Sequence, residues 1–166
     1  ARFFGPRAIT TDGESLYVAD TNNFVVRKIT LATGVVSTHA GTHGVEGASD
    51  GLGSGAQFGF LSGITTDGKN IYVTDENACT VRKISIAEGA VTTLAGLAGF
   101  CGYDWGVGNT VRFNRPQGIT TDGTHLYVAD TSSHIIRKIN LDTGDVSDVA
   151  GFRFEKGGWK SSICSI

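Results

Sequence analysis

Three stretches of the chain are near-copies of one another: GPRAITTDGESLYVADTNNFVVRKI at residues 5–29, FLSGITTDGKNIYVTDENACTVRKI at residues 60–84, and RPQGITTDGTHLYVADTSSHIIRKI at residues 115–139. Each begins 55 residues after the one before it. A period of this length marks a repeat architecture, in which one supersecondary unit recurs and buries its apolar faces against its neighbours. Asp12, Asp67 and Asp122 share one position of the repeat, Asp20, Asp75 and Asp130 a second, and Arg27, Arg82 and Arg137 a third.

Within the first unit, residues 8–11 read as a short strand that Asp12-Gly13 ends. An Asp-Gly pair between apolar runs is a strong hairpin signal, because both residues tolerate positive φ. Residues 16–19 form a second strand, the polar cluster Asp20-Thr21-Asn22-Asn23 a turn, residues 24–29 a third strand and residues 35–39 a fourth. The same reading places strands at 63–66, 71–74, 79–84 and 90–94, and again at 118–121, 126–129, 134–139 and 145–149. No segment carries a 3.6-residue apolar period, so the chain is expected to be all-β, with twelve strands and essentially no helix. It is read as a single repeat domain over 1–166, divided at 3–57, 58–112 and 113–166, the last with a divergent tail.

Between units run two glycine-rich segments, residues 42–57 and 97–112, which read as flexible loops. They return the chain to Phe58 and Phe113, the equivalents of Phe3. Gly51-x-Gly53 and Gly106-x-Gly108 neither open a helix nor precede Lys-Ser/Thr, so a phosphate cradle is the weaker reading of them.

Phe113-Asn114-Arg115-Pro116-Gln117-Gly118-Ile119, then Leu126-Tyr127-Val128-Ala129-Asp130-Thr131, then His134-Ile135-Ile136-Arg137-Lys138-Ile139 resemble the NHL repeat, and the resemblance extends to all three units. It implies a β-propeller, each repeat supplying one four-stranded antiparallel blade of a ring that usually has about six. The second unit departs most, with Leu61-Ser62 for Pro6-Arg7 and Glu76 for Thr21. The third departs after Gly151. The resemblance fixes no function, because propellers host unrelated activities.

Three blades do not close a ring, so the first and last should expose apolar faces. Two copies of the chain, paired head to tail, would give six blades; the other reading is that the missing blades belong to a longer chain. The chain has no methionine and opens with Ala1-Arg2-Phe3 inside a repeat, which leads us to expect a processed chain or a piece of a longer one. No leader is visible, and a trimmed chain would have lost it. A net charge of -2 gives no broad nucleic-acid footprint, and no apolar run approaches the roughly 20 residues of a membrane helix.

The repeated Asp and Arg residues are read as structural: carboxylates in the Asp-Gly turns, and ion pairs within or between blades. Function is sought in what varies. The turns between second and third strands and the long linkers should share one end of the blades, bringing Asn22, Asn77 and His134 together with Tyr103, Asp104 and Trp105 as candidate ligand-binding residues. Aromatic side chains beside a carboxylate anchor interfaces or sugars; the alternative is that Tyr103 and Trp105 fold their loop onto the blade. The expected ligand is a protein, peptide or glycan. No catalytic residue, cofactor or metal site is assigned, since nucleophile, base and orienting group do not recur at interpretable spacing, and His39 and His43 run from a strand end into a loop. The alternative function is a metal-assisted lyase or hydrolase with its site in the central channel.

Three cysteines, Cys79, Cys101 and Cys164, allow one bridge and a leftover thiol. Cys79 and Cys101 lie at the proposed binding end and are the favoured pair. A bridge would point to an oxidising, extracellular or periplasmic, setting; the competing reading is three reduced thiols.

Overall fold

A computed structural model describes the backbone of residues 1–155 and 158–161 and the side chains of residues 1–151. The chain runs through β1 (Pro6–Thr11), β2 (Ser15–Asp20), β3 (Val25–Thr30), β4 (Val36–Ala40), β5 (Gly51–Leu52), β6 (Leu61–Thr66), β7 (Asn70–Asp75), β8 (Thr80–Ser85) and β9 (Ala90–Ala95). It continues through β10 (Gly106–Val107), β11 (Pro116–Thr121), β12 (His125–Asp130), β13 (Ile135–Asn140), β14 (Asp145–Glu155) and β15 (Gly158–Ser161). Strand order is β1-β2-β3-β4 in the first sheet, β5-β9-β8-β7-β6 in the second and β10-β14-β13-β12-β11 in the third, where β15 also pairs with β14. All of these pairings are antiparallel.

The twelve expected strands are present, and three more were not anticipated. The linkers read as flexible loops are tied down: each runs along the outer edge of the following sheet and contributes a two-residue strand there, β5 against β9 and β10 against β14. Sheet boundaries therefore differ from the repeat boundaries at 57/58 and 112/113. Helix among the described residues is limited to 3-10 turns of three residues.

The Asp-Gly hairpins follow from side-chain chemistry. Asp12 Oδ1 accepts from the amides of Glu14 and Ser15 at 2.9 and 2.7 Å, and its Oδ2 accepts from the Tyr17 hydroxyl at 2.9 Å. Asp67 and Asp122 do the same with Tyr72 and Tyr127. Gly13, Gly68 and Gly123 take φ of +95°, +85° and +93°, a region that costs glycine little.

Period-2 alternation places one side of each sheet against its neighbour. Tyr17, Ala19, Val26 and Ala40 of the first sheet pack on Phe58, Leu61, Ile71 and Ile84 of the second. Tyr72, Val81 and Ala95 of the second pack on Phe113, Leu126, Val128 and Ile139 of the third. Burying a side chain of this size contributes about 2–3 kcal/mol, so the two clusters dominate cohesion. The innermost strands β1, β6 and β11 lie side by side. Gly63 on β6 has no room for a side chain, since a Cβ there would stand 2.3 Å from the Gln117 carbonyl oxygen.

The outward sides of the first and third sheets expose positions whose equivalents between sheets are buried. Phe58 and Phe113 are fully buried, whereas Phe3 is 36% exposed; Ile9 is 59% exposed where its equivalent Ile64 is 7%. Phe3, Pro6, Ile9, Val18 and Ile29 line an apolar groove of about 350 Å³ on the free side of the first sheet. At the other end Ile136 is 40% exposed, though its equivalents Val26 and Val81 are fully buried.

Candidate binding end

Each second strand leads into its third through a short turn, of 3-10 form in the first and third blades, and each turn ends on a residue with left-handed backbone: Phe24, Cys79 and His134, with φ of 57°, 57° and 59°. None is glycine, so one strained conformation recurs beneath three different side chains. The turns are held from below by the repeated aspartates. Asp20, Asp75 and Asp130, each fully buried, accept from the amides of Phe4, Gly59 and Asn114 at 2.7, 2.7 and 2.6 Å. Burial pushes the Asp75 carboxyl up, and the Asp130 carboxyl up to about 6, against the pull of these amides and of the neighbouring arginines.

The linkers leave and re-enter at this same end. Gly41 and Gly96 turn the chain out of β4 and β9 at φ of +101° and +99°, where a Cβ would lie 2.6 Å from the carbonyl oxygen of Phe24 or Cys79. The Gly44 amide then donates to the Asn23 carbonyl and the Gly99 amide to that of Ala78. A disulfide joins Cys79 to Cys101 and fastens the second linker to the turn between β7 and β8. Cys164 lies outside the described residues.

Asn22, Asn77 and His134 are exposed on the three turns at this end. The Asn77 amide group donates to Glu46 Oε1 at 3.0 Å, linking the turn to the first linker. Between them lies an open depression of about 330 Å³ lined by Glu46, Gly47, Gly59, Asn77, Ala98 and Gly99. Tyr103, Asp104 and Trp105 are placed elsewhere: the second linker carries them along the outer flank of the third sheet, beside β14. The Tyr103 hydroxyl donates to Asp148 Oδ2, and the Trp105 indole N–H approaches the same oxygen at 3.4 Å. Tyr103 and Trp105 meet edge to face with ring centroids 5.7 Å apart, and Trp105 remains 59% exposed. The six candidates thus fall into two groups, one on the turns and one on the flank.

The repeated arginines explain the course of the linkers. Arg82 donates to the carbonyls of Gln57 and Ser49 at 3.1 and 3.0 Å and to Asp50 Oδ1 at 2.8 Å, while its guanidinium lies 5.2 Å from the Phe58 ring centroid. Arg137 repeats this with the carbonyls of Arg112 and Asp104 and the ring of Phe113. The expected pairs with the strand-two aspartates are present but loose in these units, 4.0 Å for Arg82–Asp75 and 3.8 Å for Arg137–Asp130. Only Arg27–Asp20 is close, at 3.0 Å. Two participants escaped the sequence reading, Thr93 and Asp148. Their signal was the repeat phase: Thr93 and Asp148 are equivalent, as are Asp50 and Trp105. The carboxylate sits on the linker in one unit and on the strand in the next.

Three antiparallel sheets in radial succession, each built on four repeated strands with the first innermost, and with the outer edges of the second and third covered by incoming linkers, are the blades of a β-propeller. No family model matches the chain. NHL repeat-containing protein 2 of Bos taurus is 32% identical over 150 residues, covering 84% of this chain and 21% of that protein. The chain belongs to the NHL-repeat β-propeller family and spans about a fifth of the length of that relative. Among solved structures, an auxiliary nutrient binding protein from Bacteroides thetaiotaomicron matches with a TM-score of 0.68 at 20% identity, over 84% of this chain and 36% of that one. Virginiamycin B lyase from Staphylococcus aureus matches at 0.58 and 14% identity, over 87% and 40%. Both likenesses concern the fold alone.

Proposed function

We propose that these blades form a non-catalytic binding or scaffolding module whose ligand, a protein, peptide or glycan, meets the end formed by the turns between second and third strands and the linkers. The observation that carries this reading is that three turns ending on the same left-handed backbone present different side chains at the same height. Asn22, Asn77 and Ser132 stand exposed at one position, and at the next but one His134 is exposed, Phe24 half-buried and Cys79 buried in its disulfide. The repeated carboxylates and guanidinia, by contrast, are engaged in holding turns and linkers, which supports a structural rather than a chemical role for them.

Within this reading Asn77 and His134 contact ligand at the turn end, and Trp105 extends the contact onto the flank of the third blade. A glycan and peptide array identifies the ligand. Asn77→Ala and His134→Ala should then weaken binding at least tenfold with little change in thermal midpoint, and Trp105→Ala by about 2 kcal/mol or more if Trp105 is an anchor. Full binding by all three variants contradicts the proposal. A stoichiometric metal in the purified protein would favour the lyase or hydrolase alternative instead.

A further inference from the structure

Each described linker brings a covering strand to the blade that follows it, and the first blade shows what such a strand must carry. In the second blade, Ser49-Asp50-Gly51-Leu52 lies along β9, with Gly51 opposite Val91 and Leu52 opposite Ala90. Asp50 bridges strand and arginine: Oδ2 accepts from the Thr93 amide at 3.0 Å, and Oδ1 accepts from the Thr93 hydroxyl at 3.0 Å and from Arg82 at 2.8 Å. In the third blade the linker offers Trp105 at that place, and the carboxylate is supplied by the strand instead, as Asp148, 3.6 Å from Arg137 Nε. One carboxylate thus accompanies the arginine at each linker–strand junction.

The first blade has the strand half of the second blade's arrangement. Thr38 stands where Thr93 stands and Arg27 where Arg82 stands, and β4 ends its sheet. Arg27 donates to the Thr38 hydroxyl, the group that in the second blade turns to Asp50. Thr38 is exposed, Val35 is 60% exposed, and Val36 is half-buried where its equivalent Val91 is 2% exposed. Arg27 is already paired with Asp20 at 3.0 Å, so what the edge lacks is the carboxylate that in the second blade accepts from the threonine; because the strand carries threonine rather than aspartate, that carboxylate belongs on the incoming segment.

We propose that β4, Thr38 and Arg27 are the seat of an extended segment bearing Ser-Asp-Gly, the linker of a preceding repeat of the same kind, added to the edge as a fifth strand. The tail of a second copy fits this seat poorly, so two chains paired through their apolar blade faces would still leave the β4 edge open. In the 55-residue phase the part of that tail that would have to cover β4 is already taken up in β15, which pairs with β14 of its own blade beyond Gly151.

The experiment extends the chain at its N-terminus with a copy of residues 42–55, which brings Ala1 into the phase of Ala56 and holds the segment at high effective concentration. A second chain carries the same extension with asparagine in place of its aspartate. Amide exchange at Thr38 should slow at least tenfold in the first and much less in the second, with a higher thermal midpoint in the first alone. Equal exchange at Thr38 in both extended chains, whether slowed or not, overturns the proposal. So does a slowing of Thr38 exchange in the unextended chain as its concentration rises, which would assign the seat to a second copy.

Discussion

Arg82 reaches 2.8 Å from the carboxylate of Asp50, a residue 32 positions earlier, on the segment that leaves the neighbouring blade. That contact, with the two carbonyls beside it, turns a connection into a structural element of the next blade. The arginine side chain is fully buried and the Asp50 side chain 47% exposed, so the partners are unequal. Replacing Arg82 by alanine removes the donor to two partly buried carbonyls and leaves the buried Asp75 without a cation, at a cost of about 3 kcal/mol. Asp50→Asn should cost within about 1 kcal/mol, as exposed pairs do. Urea unfolding of both variants checks the order; equal losses would remove the asymmetry.

Two sets of carboxylates give the stability curve a maximum in mildly acidic solution. Burial acts upward on Asp67, but the amides of Asn70 and Lys69 and the Tyr72 hydroxyl hold it low, and the amides of Thr124 and His125 hold Asp122 well below the usual range. These groups stabilise above the ordinary value of 3.8 and lose that contribution as pH falls below it. Asp130 has the opposite sign: raised by burial to about 6, it withdraws stability as pH rises through that value. Between pH 4 and pH 7 the parent should lose more stability than Asp130→Asn, since Asp75, also raised by burial, is present in both. A parallel decline in both would assign the effect elsewhere.

Reduction of the Cys79–Cys101 bridge, which spans 22 residues, should lower stability by about 3 kcal/mol through the freedom returned to the unfolded chain. Non-reducing digestion and mass spectrometry should recover the two peptides joined. Finding both thiols free in protein made under oxidising conditions would contradict the bridge.

The open faces of the outer blades match. Phe3, Ile9 and Ile29 on one side stand where Phe58, Ile64 and Ile84 meet the first blade, and Tyr127, Ala129 and Ile136 on the other repeat Tyr17, Ala19 and Val26. Thr21 is buried and donates to the Leu61 carbonyl of the next blade at 2.7 Å, while its equivalent Thr131 is exposed. The 166-residue chain alone is therefore expected to pair head to tail into a six-bladed ring, and light scattering should give twice 17.4 kDa. Ile9→Lys and Ile136→Lys should each return it to the single mass. A monodisperse monomer of the parent would end the expectation, and a dimer surviving Ile136→Lys would mean a different pairing.

Much of the fold could be read directly. The 55-residue phase, the Asp-Gly pairs and the alternation in SLYVAD and its copies carried the strands, because local turn chemistry and period-2 burial point the same way there. The outer strands β5 and β10 were not legible, since each is two residues long and begins with glycine, and both linkers are held by arginines distant in sequence. The left-handed turn ends at Phe24, Cys79 and His134 were missed for the complementary reason that residue type gives no sign of them. Of the candidate site, the turn residues could be located from repeat position alone. Tyr103 and Trp105 could not, as their course is set by Asp148, more than 40 residues away.

The linkers are fixed parts of the blades, so that the candidate binding end is a rigid display. Amide hydrogen exchange tests it most directly, because the decisive amides are already paired: Gly47 to Phe58, Gly53 to Gly89, Gln57 to Ser49 and Gly102 to Phe113. The account predicts that these four exchange at least a hundredfold more slowly than an unstructured chain, ~3 kcal/mol of protection. Exchange at the unstructured rate in both linkers, with the β2 and β7 amides protected, would contradict it.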